Sequence, residues 1–406
     1  MPSIIGSFLS TTMNEQANLK RIRIAVLLCY FSQGMCFSSW AGRIADIKIS
    51  MGLDDAAWGT ILLMLPVGQA CGMTLSGYLV SKIGSNKIYP VALIGYSATL
   101  IVCGLATSQY SLILSLIAYG FCGNFCNISV NTQATVVEAK YKRHIMASFH
   151  GGWSLAGFVG AGVSLVMTNF GIAPAWHFSL IFVLNMVVLF FNRQYLQEDI
   201  KKQRIRSDGT EEKKAKPESF LYMLGFIAFF GMAAEGSISD WSGLYLIDIV
   251  KVAEKYAPLG LFAYMITMAC GRFVIDGACE RWGQKRVIQV CGLLIATGLG
   301  LIVSFPVLPV VIVAFMIVGL GTSSIVPIIY SIAGHNTKIS TGLALTIVSS
   351  ISFMGFLLGP PVIGYISHAS DLRVAYTLIA IFGVCITVFS SNVKVFKKDE
   401  LKVHDR

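Results

Sequence analysis

The chain has 406 residues, of which 55% are hydrophobic and 13% are charged, and its formal net charge is +10. A soluble domain carries about 25% charged residues, so this supply cannot cover the water-facing surface of a 44.0 kDa protein. An ordinary soluble enzyme is therefore excluded. At roughly 20 apolar residues per span, the length and composition predict a membrane protein with about twelve spans.

Continuous apolar runs follow one another along the chain and predict an all-α fold with twelve transmembrane helices. Backbone groups in lipid must find partners within their own segment, and the runs do not alternate as membrane strands would. The predicted spans are 22–43, 57–80, 88–107, 110–136, 145–168, 174–192, 220–247, 258–279, 286–305, 307–333, 341–366 and 372–391.

The charged segment 193–219 interrupts this series and predicts a cytoplasmic linker, with a short amphipathic helix over 195–205. It divides the chain into two six-helix bundles. The predicted organisation is an N-terminal tail, a bundle, the linker, a second bundle and a C-terminal tail, at 1–21, 22–192, 193–219, 220–391 and 392–406.

The basic residues predict the orientation of these spans. With both termini inside, the cytoplasmic segments hold 25 Lys and Arg residues and the outer loops hold 5, with Arg272 inside a span. This bias fits the positive-inside rule only with both termini cytoplasmic. The net charge therefore indicates topology and contact with anionic lipid, and no nucleic-acid partner is expected.

In the first span, Gln33 and Trp40 are seven residues apart and share a helix face. An amide beside an aromatic ring is typical of a cavity that binds a sugar or another polar solute. The alternative for Trp40 is the aromatic belt at the membrane interface.

The fourth span carries a polar stripe of Asn124, Asn127 and Asn131, continued toward the cytoplasm by Glu138. Buried amides need partners, so the stripe predicts substrate contact for Asn127 or Asn131, with helix–helix hydrogen bonding as the alternative. Glu138 is expected to form an ion pair of a gate or loop with Arg143.

His150 and Trp153 are three residues apart in the fifth span and therefore meet on one face. We expect a proton or substrate role for His150 and a place in the substrate cavity for Trp153.

The seventh and eighth spans carry ionisable residues within the membrane interior: Glu235, Asp240, Arg272 and Asp276. Such a residue costs about 2.5–3.5 kcal/mol or more and is a functional candidate by default. Glu235 and then Asp240 are the candidates for proton coupling, the alternative being a carboxylate permanently paired with a cation. Arg272 and Asp276 form an i, i+4 pair and are candidates for gating.

The two halves repeat each other at an offset near 200. Residues 38–42 correspond to 239–243, 70–72 to 269–271, 77–87 to 276–286, and 157–161 to 355–360. Trp40 and Trp241 occupy equivalent positions, which favours a pair near the axis and adds Trp241 to the candidates for substrate binding. Two six-helix halves related by an axis along the membrane normal are a known transporter plan.

The loop after the second span resembles the major facilitator superfamily signature G-x-x-x-D-[RK]-x-G-[RK]-[RK]. It keeps Gly77, Lys82, Gly84 and Lys87, but Ser81 replaces the usual Asp. The second copy keeps Glu280, Arg281 and Gly283 and has Asp276 where Gly is expected. The resemblance implies a gating role for these loop residues.

A further string of residues is similar to a bacterial branch of this superfamily related to fucose permease-like sugar–proton symporters. The string comprises Asn131, Glu138, Met146, His150, 153–155, Pro327, 331–334, 359–361 and Gly364. The resemblance implies a multi-pass transporter of the bacterial inner membrane, commonly a monomer, that moves a small polar solute, with a sugar or sugar derivative favoured.

The expected partners are this solute, protons and the lipid bilayer. The alternative is a proton-driven exporter of drugs or metabolites. The sequence contains no nucleotide-binding loop and no zinc-ligand spacing, so we expect no cofactor, no metal and no enzymatic activity.

Overall fold

The computed structural model of the chain describes residues 2–141, 145–199, 218–335 and 341–392. Within them, the side chains of 2–17 and of a few later positions, Asp276 among them, lie outside the description. The helices are α1 Pro2–Gly42, α2 Ile44–Ser50, α3 Asp55–Leu62, α4 Met64–Ile83, α5 Ser85–Leu105, α6 Gln109–Tyr141, α7 Met146–Asn169, α8 Pro174–Asn192, α9 Ser219–Asp248, α10 Pro258–Trp282, α11 Gln284–Ser304, α12 Leu308–Thr322, α13 Ile325–His335, α14 Thr341–Ala369 and α15 Leu372–Asn392.

Within the described residues, twelve helical stretches are long and apolar enough to cross a membrane, which confirms the predicted all-α fold. The described residues contain no strand. Two spans consist of two helices each: α3 and α4 are separated by Leu63, and α12 and α13 by Ser323 and Ser324.

Small residues let the helices of each half approach closely. A Cβ added at Gly68 would lie 2.1 Å from the Ile117 carbonyl oxygen, which joins α4 to α6. In the second half, a Cβ at Gly355 would lie 2.1 Å from the Phe229 carbonyl oxygen, which joins α14 to α9. Because lipid removes the hydrophobic drive between membrane helices, such close backbone packing is what holds them together.

Gly84 and Gly283 form equivalent turns between helices in the two halves. Each ends one helix and begins the next, with φ of +106° at Gly84 and +82° at Gly283. Glycine adopts these angles without steric cost. The two signature loops are therefore tight turns, α4 to α5 and α10 to α11.

The described part of the linker folds onto the first half. Residues 193–195 form a 3-10 turn, and 196–199 carry no helix. The Gln133 side chain explains this, since its Nε2 donates to the Gln197 carbonyl at 2.6 Å and its Oε1 accepts from the Gln197 N–H at 2.8 Å. The predicted helix over 195–205 is thus wrong up to 199, and 200–205 lie outside the described residues.

Asp199 reaches the start of α5 from the linker. Its carboxylate accepts hydrogen bonds from the Ser85 N–H at 2.7 Å and from the Ser85 hydroxyl. A carboxylate at a helix N-terminus satisfies a backbone donor that has no partner within the helix. The linker therefore caps α5 beside the signature loop that lacks its Asp.

Candidate functional site: the interface between the two halves

The two halves are joined at the end of the molecule opposite the linker, where α3 contacts α14. We name this contact the far gate, formed by Asp55, Gly59, Thr60, Gly364, Tyr365 and Ser367. The Thr60 and Tyr365 hydroxyls are 2.9 Å apart, and Ser367 donates a hydrogen bond to Asp55. A Cβ at Gly364 would lie 2.5 Å from the Asp55 carbonyl oxygen and 2.8 Å from the Gly59 Cα, so the two backbones touch directly.

Lys48 on α2 connects this gate to the second half. Its ammonium pairs with Asp55 and lies 5.8 Å from the centroid of the Trp241 ring. Beside it, His368 Nδ1 is 3.9 Å from Asp54 Oδ1. The far gate therefore combines backbone contact with polar contacts and with the Lys48 ammonium near the Trp241 ring.

The two tryptophans proposed for substrate binding lie in packed surroundings. Trp241 is fully buried, and Trp40 is buried with its ring 6.3 Å from that of Tyr119. Neither indole N–H has a hydrogen-bond partner among the described residues. Each ring packs with other groups, Trp40 with Tyr119 and Trp241 with Lys48, and the described contacts include no pairing of the two.

At mid-depth, α7 packs against α10. The rings of Phe158 and Phe262 lie 4.8 Å apart, and a Cβ at Gly157 would lie 3.1 Å from the Met265 sulfur. At 1.5 Å per residue, Ser154, Glu235 and Arg272 each lie about 20 Å from the far end of their helices. All three therefore reach the same level of the interface.

Arg272 bridges the halves at this level. Its Nη1 donates to the Ser154 hydroxyl at 2.7 Å, and its guanidinium lies 5.6 Å from the centroid of the Trp153 ring. Its Nη2 is 3.7 Å from Glu235 Oε1, and the two side chains are 16% and 13% exposed. The sequence placed Arg272 with Asp276; the structure brings it to Glu235, and the Asp276 side chain lies outside the described residues.

The asparagine stripe of α6 divides into two environments. Asn124 is buried, and its side-chain oxygen accepts from Ser76 on α4 at 2.7 Å, a helix–helix contact. Asn131 donates to the side chain of the exposed Asn127 and accepts from the Tyr30 hydroxyl at 2.8 Å. Asn127 and Asn131 therefore form the accessible part of the stripe.

Tyr30 continues this polar surface toward α7. Its ring lies 5.3 Å from that of His150, which is exposed. One turn along, Trp153 contacts Phe37 of α1 at 5.5 Å between ring centroids. The half-buried Gln33 lies on α1 between Tyr30 and Phe37. The accessible candidates thus form one surface that ends at Arg272 and Glu235.

Asp240 lies apart from this surface, toward the far gate. It lines a small cavity with Ala41, Ala45 and Gly243, where α1 and α9 meet. Its carboxylate has no hydrogen-bond partner among the described side chains, and the Tyr376 hydroxyl is within electrostatic range. The sequence grouped Asp240 with Glu235, but the structure puts them in different surroundings.

The basic residues predicted to act in gating at the signature loops have local partners in this conformation. Lys82 bonds to Tyr78 of its own helix at 3.3 Å, and Arg281 lies 5.7 Å from the ring of its neighbour Trp282. Glu280 is exposed. Glu138 accepts from the Ile145 N–H at 3.1 Å, whereas Arg143, its expected partner, lies outside the described residues.

Sequence reasoning missed the residues of the far gate. Lys48, Asp54 and Asp55 are opposite charges close in sequence, on either side of the short connection from α2 to α3, and this is the signal that could have indicated the gate. The sequence indicates close packing at Gly364, but a single sequence does not show which residues of the other half it contacts.

Several curated relatives match over most of the chain. An uncharacterized MFS-type transporter of Yersinia pestis is 28% identical over 388 residues, 94% of this chain and 98% of the relative. The membrane protein MosC of Rhizobium meliloti is 29% identical over 372 residues, 90% of this chain and 89% of the relative. These relatives are bacterial membrane proteins, in agreement with the helices described above.

Solved structures share the fold. A mutant form of the nucleoside transporter NupG superposes with a TM-score of 0.72 at 12% identity, over 92% of this chain and all of the other. A bacterial homologue of the human lysosomal transporter Spinster, inward-facing and unoccupied, gives 0.70 at 15% identity, over 94% of this chain and 98% of the other.

The Major Facilitator Superfamily model matches residues 26–257 and 257–402. This match covers nearly the whole chain and agrees with the twelve spans, the internal repeat and the polar interface between the halves. The chain therefore belongs to the Major Facilitator Superfamily, and it is a membrane transporter, not an enzyme.

Proposed function

We propose that this transporter moves a small polar solute, a sugar or sugar derivative, and that a proton gradient drives the transport through Glu235. The observation that carries the proposal is the position of Glu235, half-buried at the interface and 3.7 Å from Arg272. A charge-assisted hydrogen bond of this type is about 2.7–2.9 Å long. Glu235 and Arg272 are therefore close but do not form a direct hydrogen bond, so a proton can neutralise the Glu235 carboxylate in place of the arginine.

The polar surface supports a hydroxylated solute. Hydroxyl groups of a solute can form hydrogen bonds with the amides of Asn127 and Asn131 and with the Tyr30 hydroxyl. The Trp153 ring offers an apolar face to the rest of the solute. A pocket with a few convergent polar groups beside aromatic rings suits such a solute. Asp240, half-buried toward the far gate, is proposed as a second proton site.

We further propose that the chain lies in the bacterial inner membrane with both termini cytoplasmic. The closed far gate is then the outer gate, and this conformation faces inward. Transport follows from rocking of the two halves about the site at mid-depth, as in other transporters built from two such repeats. Residues of the signature loops, Lys82, Glu280 and Arg281, are proposed to pair across helices when the halves rock.

The test begins with thermal-shift screening of the purified protein against hexoses, hexitols and nucleosides. The stabilising solute is then used in proteoliposomes with an imposed pH gradient. We expect Glu235→Gln to lose gradient-driven accumulation but to retain exchange of labelled for unlabelled solute. The exposed Glu254 is the control, because Glu254→Gln removes a carboxylate outside the interface. Unchanged accumulation by Glu235→Gln removes this residue as the coupling site.

Proton-driven export of drugs is the second candidate. A protein of Bacillus subtilis named Multidrug resistance protein 3 is 23% identical over 253 residues, 60% of this chain and 46% of that protein. Against this candidate stands the polar surface of Asn127, Asn131 and Tyr30, whose amides and hydroxyl suit a polar solute better than a lipophilic drug. Stabilisation by lipophilic cations alone contradicts the sugar proposal and supports export.

A further inference from the structure

We infer that the transported solute carries one negative charge and that Arg272 binds it. The solute class is a hydroxylated carboxylate such as a sugar acid. The inference rests on the proton coupling through Glu235 proposed above and adds to it the charge of the solute.

Among the described residues, few partners engage the donors of Arg272. Its Nη1 bonds to a neutral hydroxyl, that of Ser154, and its Nε has no hydrogen-bond partner among the described residues. Its Nη2 is 3.7 Å from Glu235, beyond hydrogen-bond distance. A guanidinium presents five N–H donors in a planar fork that matches a carboxylate with two parallel bonds. The geometry thus leaves a place for a second carboxylate beside Glu235.

Charge balance between the loaded and empty carrier favours an anion. Protonation of Glu235 raises the charge of the interface by one, and binding of a monoanion lowers it by one. The two changes cancel whatever other fixed charges lie nearby. A neutral solute carried with a proton leaves an additional positive charge within the membrane interior, which is costly. Loading by a proton and a monoanion avoids this cost.

Few other described groups surround the pair of Glu235 and Arg272. Tyr264 on α10 lies within electrostatic range of both Glu235 and Arg272, and His150 on α7 within range of Arg272. The helices α13–α15, packed near or against α9, carry their described charged or histidine side chains only near their ends. The Asp276 side chain, one turn along α10 from Arg272, lies outside the described residues. Among the described residues, the principal change of charge on loading is therefore at Arg272, where the solute carboxylate replaces the protonated Glu235 as its partner.

The rest of the surface suits the hydroxylated part of such a solute. Trp153 lies beneath the guanidinium, and His150 precedes it by one helical turn. Tyr30 contacts His150 with its ring and donates to Asn131 with its hydroxyl. An acid bound at Arg272 therefore extends toward amide and hydroxyl groups. This arrangement distinguishes a sugar acid from an unsubstituted fatty acid.

The binding experiment uses the purified full-length protein and matched pairs of probes. Glucuronate is compared with glucose, and galacturonate with galactose, by calorimetry at pH 6. We expect at least one acid to bind at least tenfold more tightly than its neutral counterpart. Arg272→Gln should weaken that binding at least tenfold, and Arg272→Lys, which keeps the charge but not the fork, by a smaller factor. Arg373→Gln, which removes an exposed arginine, is the control and should leave binding unchanged.

The transport experiment uses the same probes in proteoliposomes. We expect a pH gradient to drive uptake of the acid, at a rate that an inside-negative potential does not change. The inference is overturned if neither acid binds, if a neutral sugar binds equally well, or if the potential accelerates uptake of the acid.

The two proposals can fail separately. Proton-driven uptake of a neutral sugar, accelerated by an inside-negative potential, overturns the anionic solute but leaves proton coupling in place. Arg272-dependent binding of an acid that no pH gradient drives upholds the anion site and removes the proposed coupling.

Discussion

Gly364→Ala should open the far gate. A Cβ at this position would lie 2.5 Å from the Asp55 carbonyl oxygen and 2.8 Å from the Gly59 Cα. Ordinary contact begins near 3.4 Å, so α3 and α14 must separate by about 1 Å. Overpacking of this kind costs about 1–3 kcal/mol, and the cost falls only on the conformation in which the two helices touch. The equilibrium between gate-closed and gate-open states should therefore shift about 5- to 150-fold toward opening.

The shift is measured by spin-label distances across the gate. Labels are introduced at Ser50 and Ser370, both exposed, through a non-canonical amino acid that leaves the ten cysteines unmodified. Gly364→Ala should increase the population at long distances. Gly300→Ala is the matched control, because a Cβ there meets nothing within 4 Å. A distance distribution identical to that of the wild type in Gly364→Ala would refute the reasoning.

Three further predictions concern other parts of the molecule. Asp199→Ala removes the carboxylate that accepts a hydrogen bond from Ser85 at the start of α5. It should lower the free energy of unfolding by about 0.5–2 kcal/mol, measured by thermal unfolding. The control Glu198→Ala, which removes an exposed carboxylate, should leave the free energy of unfolding unchanged. Burial raises the pKa of Asp46 above its ordinary value of 3.8. The folded state therefore binds this proton more tightly than the unfolded state, and stability falls as the pH rises through the window above 3.8. Asp46→Asn should remove this pH dependence from the unfolding midpoints, and an unchanged pH dependence contradicts its origin in Asp46. Asn131→Ala should weaken solute binding by the value of one neutral hydrogen bond, about 0.5–1.5 kcal/mol, measured by calorimetry; unchanged affinity removes Asn131 from the site.

The sequence predicted the fold well because each span is determined locally. Continuous apolar runs in lipid can only be helices, and the described residues contain twelve such helical stretches. The breaks at Leu63 and at 323–324 were not predicted, although Pro66 and Pro327 stand in the first turn of the helix that follows each break, where proline is tolerated. Gly84 and Gly283 were identified through the signature, and the structure adds a physical role, the turn at positive φ.

The candidate site was predictable only in part, because contacts between the halves are not encoded in local patterns. Helix periodicity placed Asn127 and Asn131 on one face, and the structure finds them joined. In contrast, i, i+4 spacing paired Arg272 with Asp276, while its contact with Glu235 depends on the packing of α9 against α10. The far gate depends on the approach of α3 to α14, elements about 300 residues apart in the chain.

The roles of Trp40 and Trp241 stay predictions. Their equivalent repeat positions indicated a shared role near the axis, but both rings are buried with different neighbours in this conformation. We expect a conformation with the far gate open to change the surroundings of Trp241, because Lys48, which lies near its ring, pairs with Asp55 of that gate.

The most direct test of the central claim is the pH change that accompanies solute entry. Lightly buffered proteoliposomes containing the wild-type protein receive the solute that stabilises it most, and the external pH is recorded. Proton-coupled entry through Glu235 predicts external alkalinisation with the wild type and with Glu254→Gln, and none with Glu235→Gln. Solute entry without a pH change in the wild type, or with an undiminished change in Glu235→Gln, would contradict the account.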